Sequence, residues 1–274
     1  MLLERNDVNP NHSDIQHYRT PLSLAAGSGH EGVVRVLLER KEINPDLADA
    51  EYGQTPLSWA AKAGHEGIVE ILLERNDVNP NQADTKHGQT PLSLAAGWGH
   101  EGVVRVLLER KDVNLDLVDT ECGRTPLSWA AVSGHEGVVR MLSERMEVNP
   151  DQADAFGGQM PFLRADRGEH EEVPEILWES RDDNPAWVEP EYGKRGLSLA
   201  AEGGHEAAAE MPLERKDVTP DLADTKYGQT PHSLAAAKEL RFSSFLLVFC
   251  IYLLFLYFLL RLFLSSEFLL DMVL

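Results

Sequence analysis

The chain has 274 residues, with 45 Asp and Glu against 25 Lys and Arg, and a formal net charge of −20. An acidic excess of that size repels phosphate backbones, which argues against nucleic acid as the main partner, and it favours solubility and, weakly, basic partners. The two cysteines, Cys122 and Cys250, form neither a disulfide framework nor a metal-spaced pair, and the N-terminus has no basic stretch leading into an apolar run, so a reducing compartment without a secretory signal is the default.

Residues 1–13 are predicted to be the remnant of a unit whose pattern returns later. Met1-Leu2-Leu3-Glu4-Arg5 aligns with Val36-Leu37-Leu38-Glu39-Arg40, so the sequence opens inside a second helix and no polar capping unit precedes it. From there a pattern with a period of 35 residues takes over: Thr-Pro-Leu-Ser stands at Thr20, Thr55, Thr90 and Thr125, and weakened at Met160, Arg195 and Thr230. His-Glu keeps the same beat at His30, His65, His100, His135, His170 and His205. A fixed period of this size predicts a stacked solenoid, which grows by adding units that bury their apolar faces against one another.

Residues 84–118 show how one unit reads. Asp84-Thr85-Lys86-His87-Gly88 is a polar tight turn, with Gly88 free to take a positive φ. Thr90 is the expected N-cap and Pro91 occupies the first helical position, where a missing N–H is harmless. Leu92, Leu94, Ala95 and Ala96 fill a short first helix that Gly99 ends. His100 and Glu101 open a second, with Val103, Val104, Leu107 and Leu108 on one stripe. Both helices are near ten residues, too short to stand alone, so stability is expected to come from stacking.

The string Asp-x-x-x-Gly-Gln-Thr-Pro-Leu-Ser-Leu-Ala-Ala-x-x-Gly-His-Glu-x-Val-Val-x-x-Leu-Leu-Glu resembles the ankyrin repeat over roughly residues 1 to 237. The resemblance implies an all-α fold: a solenoid of helix-turn-helix units with projecting turns, binding proteins through its concave face and needing no cofactor, metal or small-molecule substrate. Two departures stand out. The unit is 35 residues rather than the usual 33. The family's His after Pro-Leu is Ser23, Ser58, Ser93 and Ser128 here, which removes an imidazole expected to bridge neighbouring units. The Ser-containing version is similar to long fungal arrays attached behind nucleotide-binding signalling domains.

Residues 14–153 read as four well-formed, nearly interchangeable repeats, and residues 154–223 as two degenerate ones. In the first of these, Met160 replaces Thr, Asp166 an Ala and Arg164 the Trp at 129, and Pro174 falls where the other units have a Val in helix two. In the second, Gly196 replaces the proline and Pro212 a Leu. A proline inside a helix costs about 3 kcal/mol, so the array is expected to open first between residues 154 and 223.

Residues 224–241 hold a truncated repeat. Phe242 to Leu260 then carries no charge and only Ser243 and Ser244 as polar residues. As a helix it would span about 28 Å, close to the ~30 Å hydrocarbon core. Residues 242–264 are thus predicted as a C-terminal transmembrane helix and 265–274 as a short tail, with Lys238 and Arg241 before the span keeping the array cytosolic. Two readings stand side by side: a tail-anchored adaptor, or a soluble cytoplasmic segment of a larger nucleotide-binding receptor in which the apolar tail is an artefact of the gene model.

No catalytic constellation emerges. His30-Glu31 begins a zinc-protease pattern, but its fifth position is Val34, and the same holds at each copy. Ser, His and Asp recur in every unit, whereas a catalytic site is assembled once. The chain is therefore read as a non-enzyme. Positions that vary within the fixed frame are the candidates for partner binding: His17 and Arg19; Tyr52, Gln54 and Lys62; His87, Gln89 and Trp98; Cys122, Arg124 and Val132. Trp98 stands where other units have Ala63 or Ser133 and is the best anchor candidate. Trp59 and Trp129 take the place of Leu24 and Leu94 inside helix one and are read as packing residues.

Overall fold

A computed structural model describes residues 9–14, 18–150, 152–155, 160–161, 164–165, 170 and 172–179. The expected unit 189–223, the truncated repeat 224–241, the apolar span 242–264 and the tail 265–274 lie outside the described residues, as does His17. Every regular element among the described residues is an α-helix.

The helices come in pairs: α1 (Pro21–Gly27) with α2 (Glu31–Leu38), α3 (Pro56–Ala63) with α4 (Glu66–Leu73), α5 (Pro91–Gly97) with α6 (Glu101–Leu108), and α7 (Pro126–Val132) with α8 (Glu136–Ser143). A further helix, α9 (Glu172–Glu179), stacks on α8. First helices stack on first helices, and second on second. At seven or eight residues the helices are shorter than the ten expected, and none would persist alone. What holds them is the continuous core between units. Leu22, Leu57, Leu92 and Leu127 of the first row, and Leu37, Leu72, Leu107 and Leu142 of the second, are almost completely buried. Each such side chain contributes about 1.5–3 kcal/mol.

The predicted helix starts are in place. Thr20, Thr55, Thr90 and Thr125 are extended N-caps whose Oγ1 accepts the N–H of Ser23, Ser58, Ser93 and Ser128, with Pro at the first turn. The buried Ser hydroxyls bond back to the same Thr Oγ1 at 3.0–3.1 Å. The Ser at this position therefore completes a cap.

The bridging imidazole that the Ser substitution seemed to remove is supplied from another position. Nε2–H of His65, His100, His135 and His170 donates to the carbonyls of Gly27, Lys62, Gly97 and Val132, each in the preceding unit, at 2.9–3.3 Å. A carbonyl can only accept, which fixes the proton on Nε2. Gly99 makes room for one such ring: its φ is +74°, and a Cβ there would lie 2.6 Å from Nδ1 of His135.

Pro174 also differs from expectation. Helix α9 continues through it, because the position falls in the first turn rather than the interior. The bond it forgoes is the one that Val139 N–H makes to His135 O in α8, at 2.9 Å. The equivalent N–H is bonded in all four earlier units, so Pro174 gives up one helical bond while the helix continues past it.

Candidate functional site

Each projecting turn is organised by one buried aspartate. Asp49 accepts the backbone N–H of Glu51, Tyr52 and Gln54. Asp84 accepts those of Lys86, His87 and Gly88, and Asp119 those of Glu121, Cys122 and Arg124. Three N–H donors per carboxylate fix the turn and aim the residues between them outward. Successive turns are joined through the backbone: Thr85 N–H donates to Tyr52 O at 3.0 Å, Thr120 N–H to His87 O at 2.9 Å, and Ala155 N–H to Cys122 O at 2.8 Å.

The two helix-one tryptophans do more than pack. Trp59 Nε1–H donates to Asp49 at 2.9 Å and Trp129 Nε1–H to Asp119 at 3.0 Å, tying each first helix to its own turn. Arg164, a sign of decay when read from sequence, makes the same connection through Nε to Asp154 at 2.7 Å. Leu24 and Leu94 have no polar atom with which to do so.

Six of the predicted residues from two units meet across a third. Tyr52, Gln54 and Lys62, with His87, Gln89 and Trp98, line a recess of about 380 Å³ that Trp129, Ser133 and Glu121 complete. Leu94 and Ser93 also line it. The recess exists because Leu94 is a small side chain in a row where the next unit carries an indole. Trp98 is 59% exposed at its edge. Gln54 is buried, with its Nε2 3.5 Å from Asp84 and its Oε1 without a partner.

The other predicted residues lie apart from the recess. Arg19 stacks on Trp59 with its guanidinium carbon 3.3 Å from the ring centroid, and Arg124 lies 4.7 Å over Trp129. Cys122 sits half-buried in its turn, where burial pushes its thiol up, away from the reactive thiolate. Val132 is half-buried, and its carbonyl serves His170. Tyr52 and Trp59 form an edge-to-face pair with centroids 6.2 Å apart; Lys62 lies 5.3 Å from the Trp59 centroid and Lys86 4.5 Å from that of Tyr52. Glu51 accepts the Tyr52 hydroxyl, which raises the phenol above its usual value.

Two features escaped the reading of units as interchangeable. The first is a two-unit alternation: Leu24, Trp59, Leu94, Trp129 along helix one, matched by Gly27, Lys62, Gly97, Val132 at its end. A Cβ on Gly27 would touch Trp59, and one on Gly97 would touch Trp129. The second alternates in step. Asn11, Asp46, Asn81 and Asp116 each accept a backbone N–H of the next unit, from Asn44, Asn79, Asn114 and Asn149. The asparagines also donate Nδ2–H to Glu42 O and Asp112 O. The aspartates have no such hydrogen, and Oδ1 of Asp46 and of Asp116 is buried without a partner. Burial raises both carboxyls above the ordinary range, with the Asp77 charge adding to the shift at Asp46. The signal for both features was present as identity at every second copy.

The family model for ankyrin repeats (3 copies) matches residues 1–84 and 76–154. No curated protein matches the sequence.

Proposed function

We propose, from the premise that the chain belongs to the ankyrin-repeat family and so to a class of protein-interaction scaffolds, that its partner docks on the face formed by the turns and first helices, with Trp98 as anchor. The observation that supports this most is the recess over Leu94, lined by six of the side chains that vary within the repeat frame, from two successive units, and completed by the unit after them. An exposed indole at the edge of a preformed recess has the character of an interaction hot spot. His87 and Gln89 on one side and Arg124 and Val132 beyond Trp129 extend the same face, and Arg19 extends it at the other end.

Trp98→Ala is expected to weaken binding of the cognate protein by at least about 1 kcal/mol while leaving the melting temperature unchanged, since the side chain supports no helix. Calorimetric titration beside a thermal melt reads both quantities. Unchanged affinity would remove the anchor and with it the assigned face. The apolar run 242–260 supports holding the array at the cytosolic side of a membrane; resistance of the full chain to alkaline carbonate extraction tests that.

A further inference from the structure

The charged groups of this face are unequally engaged. Asp49, Asp84 and Asp119 are saturated by turn N–H groups, Glu51 is taken by Tyr52, and Glu121 by His87 at 2.6 Å. Arg19, Lys62, Lys86 and Arg124 rest instead on aromatic rings, and none of them makes an ion pair among the described residues. A ring face holds a cation but occupies none of its N–H donors, and a stacked guanidinium keeps its fork free for a carboxylate. Nε of Arg19 and of Arg124 is buried without an acceptor, so what each guanidinium has to offer a partner is its terminal Nη groups. In a chain of net charge −20, this row of unspent donors runs against the overall balance.

We propose that the face takes an acidic segment of the protein partner, one apolar side chain entering the recess over Leu94 and flanking carboxylates bound by Arg19, Lys62, Lys86 and Arg124; this rests on the docking face assigned above. The negative field of the whole array opposes the approach of such a segment, but screening confines that field to about 8 Å at physiological salt. Within contact distance the local donors decide the register.

Selection of a random peptide library on the immobilised full chain tests this directly. Enriched peptides should carry net negative charge around an apolar residue. They should lose at least about fivefold in affinity on Arg19→Gln with Arg124→Gln, and on Lys62→Gln with Lys86→Gln. Gln already occupies the Arg position at 54 and 89, so the first pair leaves a side chain that the turn accommodates. Neutral or basic peptides that still depend on Trp98 would overturn the acidic partner and leave the docking face standing. Peptides indifferent to Trp98→Ala, or no enrichment, would overturn both.

Discussion

The tryptophan units, at 49–83 and 119–153, and the leucine units, at 14–48 and 84–118, share their helix caps, and from residue 49 onward their turn and bridging histidine, but differ in how they hold themselves and their neighbours. In a tryptophan unit the indole pins the first helix to the turn aspartate and fills the groove left by a glycine in the unit before. A leucine unit lacks that pin, and its loop aspartate makes one hydrogen bond to the next unit where Asn81 of the tryptophan unit at 49–83 makes two. The unit at 49–83 is thus the more firmly held both within itself and to the unit that follows. The recess opens on the leucine unit at 84–118 because its small side chain neighbours an indole. Repeats that look equivalent can be complementary, and the interaction surface comes from the complementarity.

Removing an indole should do the most damage. Trp59→Ala is expected to cost about 3–5 kcal/mol in denaturant unfolding. Trp59→Phe, which keeps the ring but not the bond to Asp49, should lose only about 1–3 kcal/mol. If Trp59→Phe cost nothing, the pin would carry no weight and the contrast between unit types would reduce to packing.

A shared feature comes next. Gly99→Ala forces a positive φ on an L-residue and drives a methyl into His135, for an expected loss of about 2–3 kcal/mol on chemical melting. The cost should match that of Gly64→Ala, since both unit types use the same bridge; a large difference would show that the alternation reaches the histidines as well.

A smaller effect, of opposite sign, converts one loop type into the other. Asp46→Asn and Asp116→Asn supply the missing donor and should each stabilise by about 1 kcal/mol at neutral pH. The sign with pH follows from the raised carboxyls. Stability tied to a group whose folded value is raised is fully present below its unfolded value and is lost as pH rises through the folded one. The parent chain should therefore gain stability on mild acidification from neutrality, and the Asn variants should lose that gain. Asp77 and Asp112, held low by Arg75 and Arg110, act the other way and only at lower pH, where protonation breaks their ion pairs. A pH profile of melting temperature unchanged by the double substitution would sink the account of the buried oxygens.

The smallest change makes the first unit resemble the third. Tyr18 holds a φ of 54° where later units have Gly53, Gly88 and Gly123. Tyr18→Gly should stabilise by about 1 kcal/mol, read as a rise in melting temperature.

The helices, their caps and the structural role of the histidines were legible in the sequence because each is encoded within one unit and then repeated. Thr90 and Pro91 act within the first turn of their own helix. What stayed hidden differs from unit to unit or joins unequal neighbours. The Trp59–Asp49 bond joins residues whose equivalents elsewhere are Leu and Asp, so aligning the copies averaged it away. The Asp46–Asn79 contact and the match of Gly97 to Trp129 appear only when unequal neighbours are compared in order. The continuation of α9 through Pro174 was not legible for a different reason: it depends on distance from the helix start, which the alignment of copies did not weigh. The candidate surface was legible as a set of variable positions, but the recess that gathers six of them required the two side-chain sizes in row.

The fit of Trp59 to Gly27 and of Trp129 to Gly97 also bears on how such an array can lengthen during evolution. Duplication or loss of a single unit would bring two tryptophan units together, setting an indole against Lys or Val, or two leucine units, leaving a glycine with no ring to cover it. Recombination that moves two units at a time preserves each junction, and with it each Leu-floored recess. A gene of this kind can gain or shed binding sites in whole modules without an intermediate that must first repair its own stack.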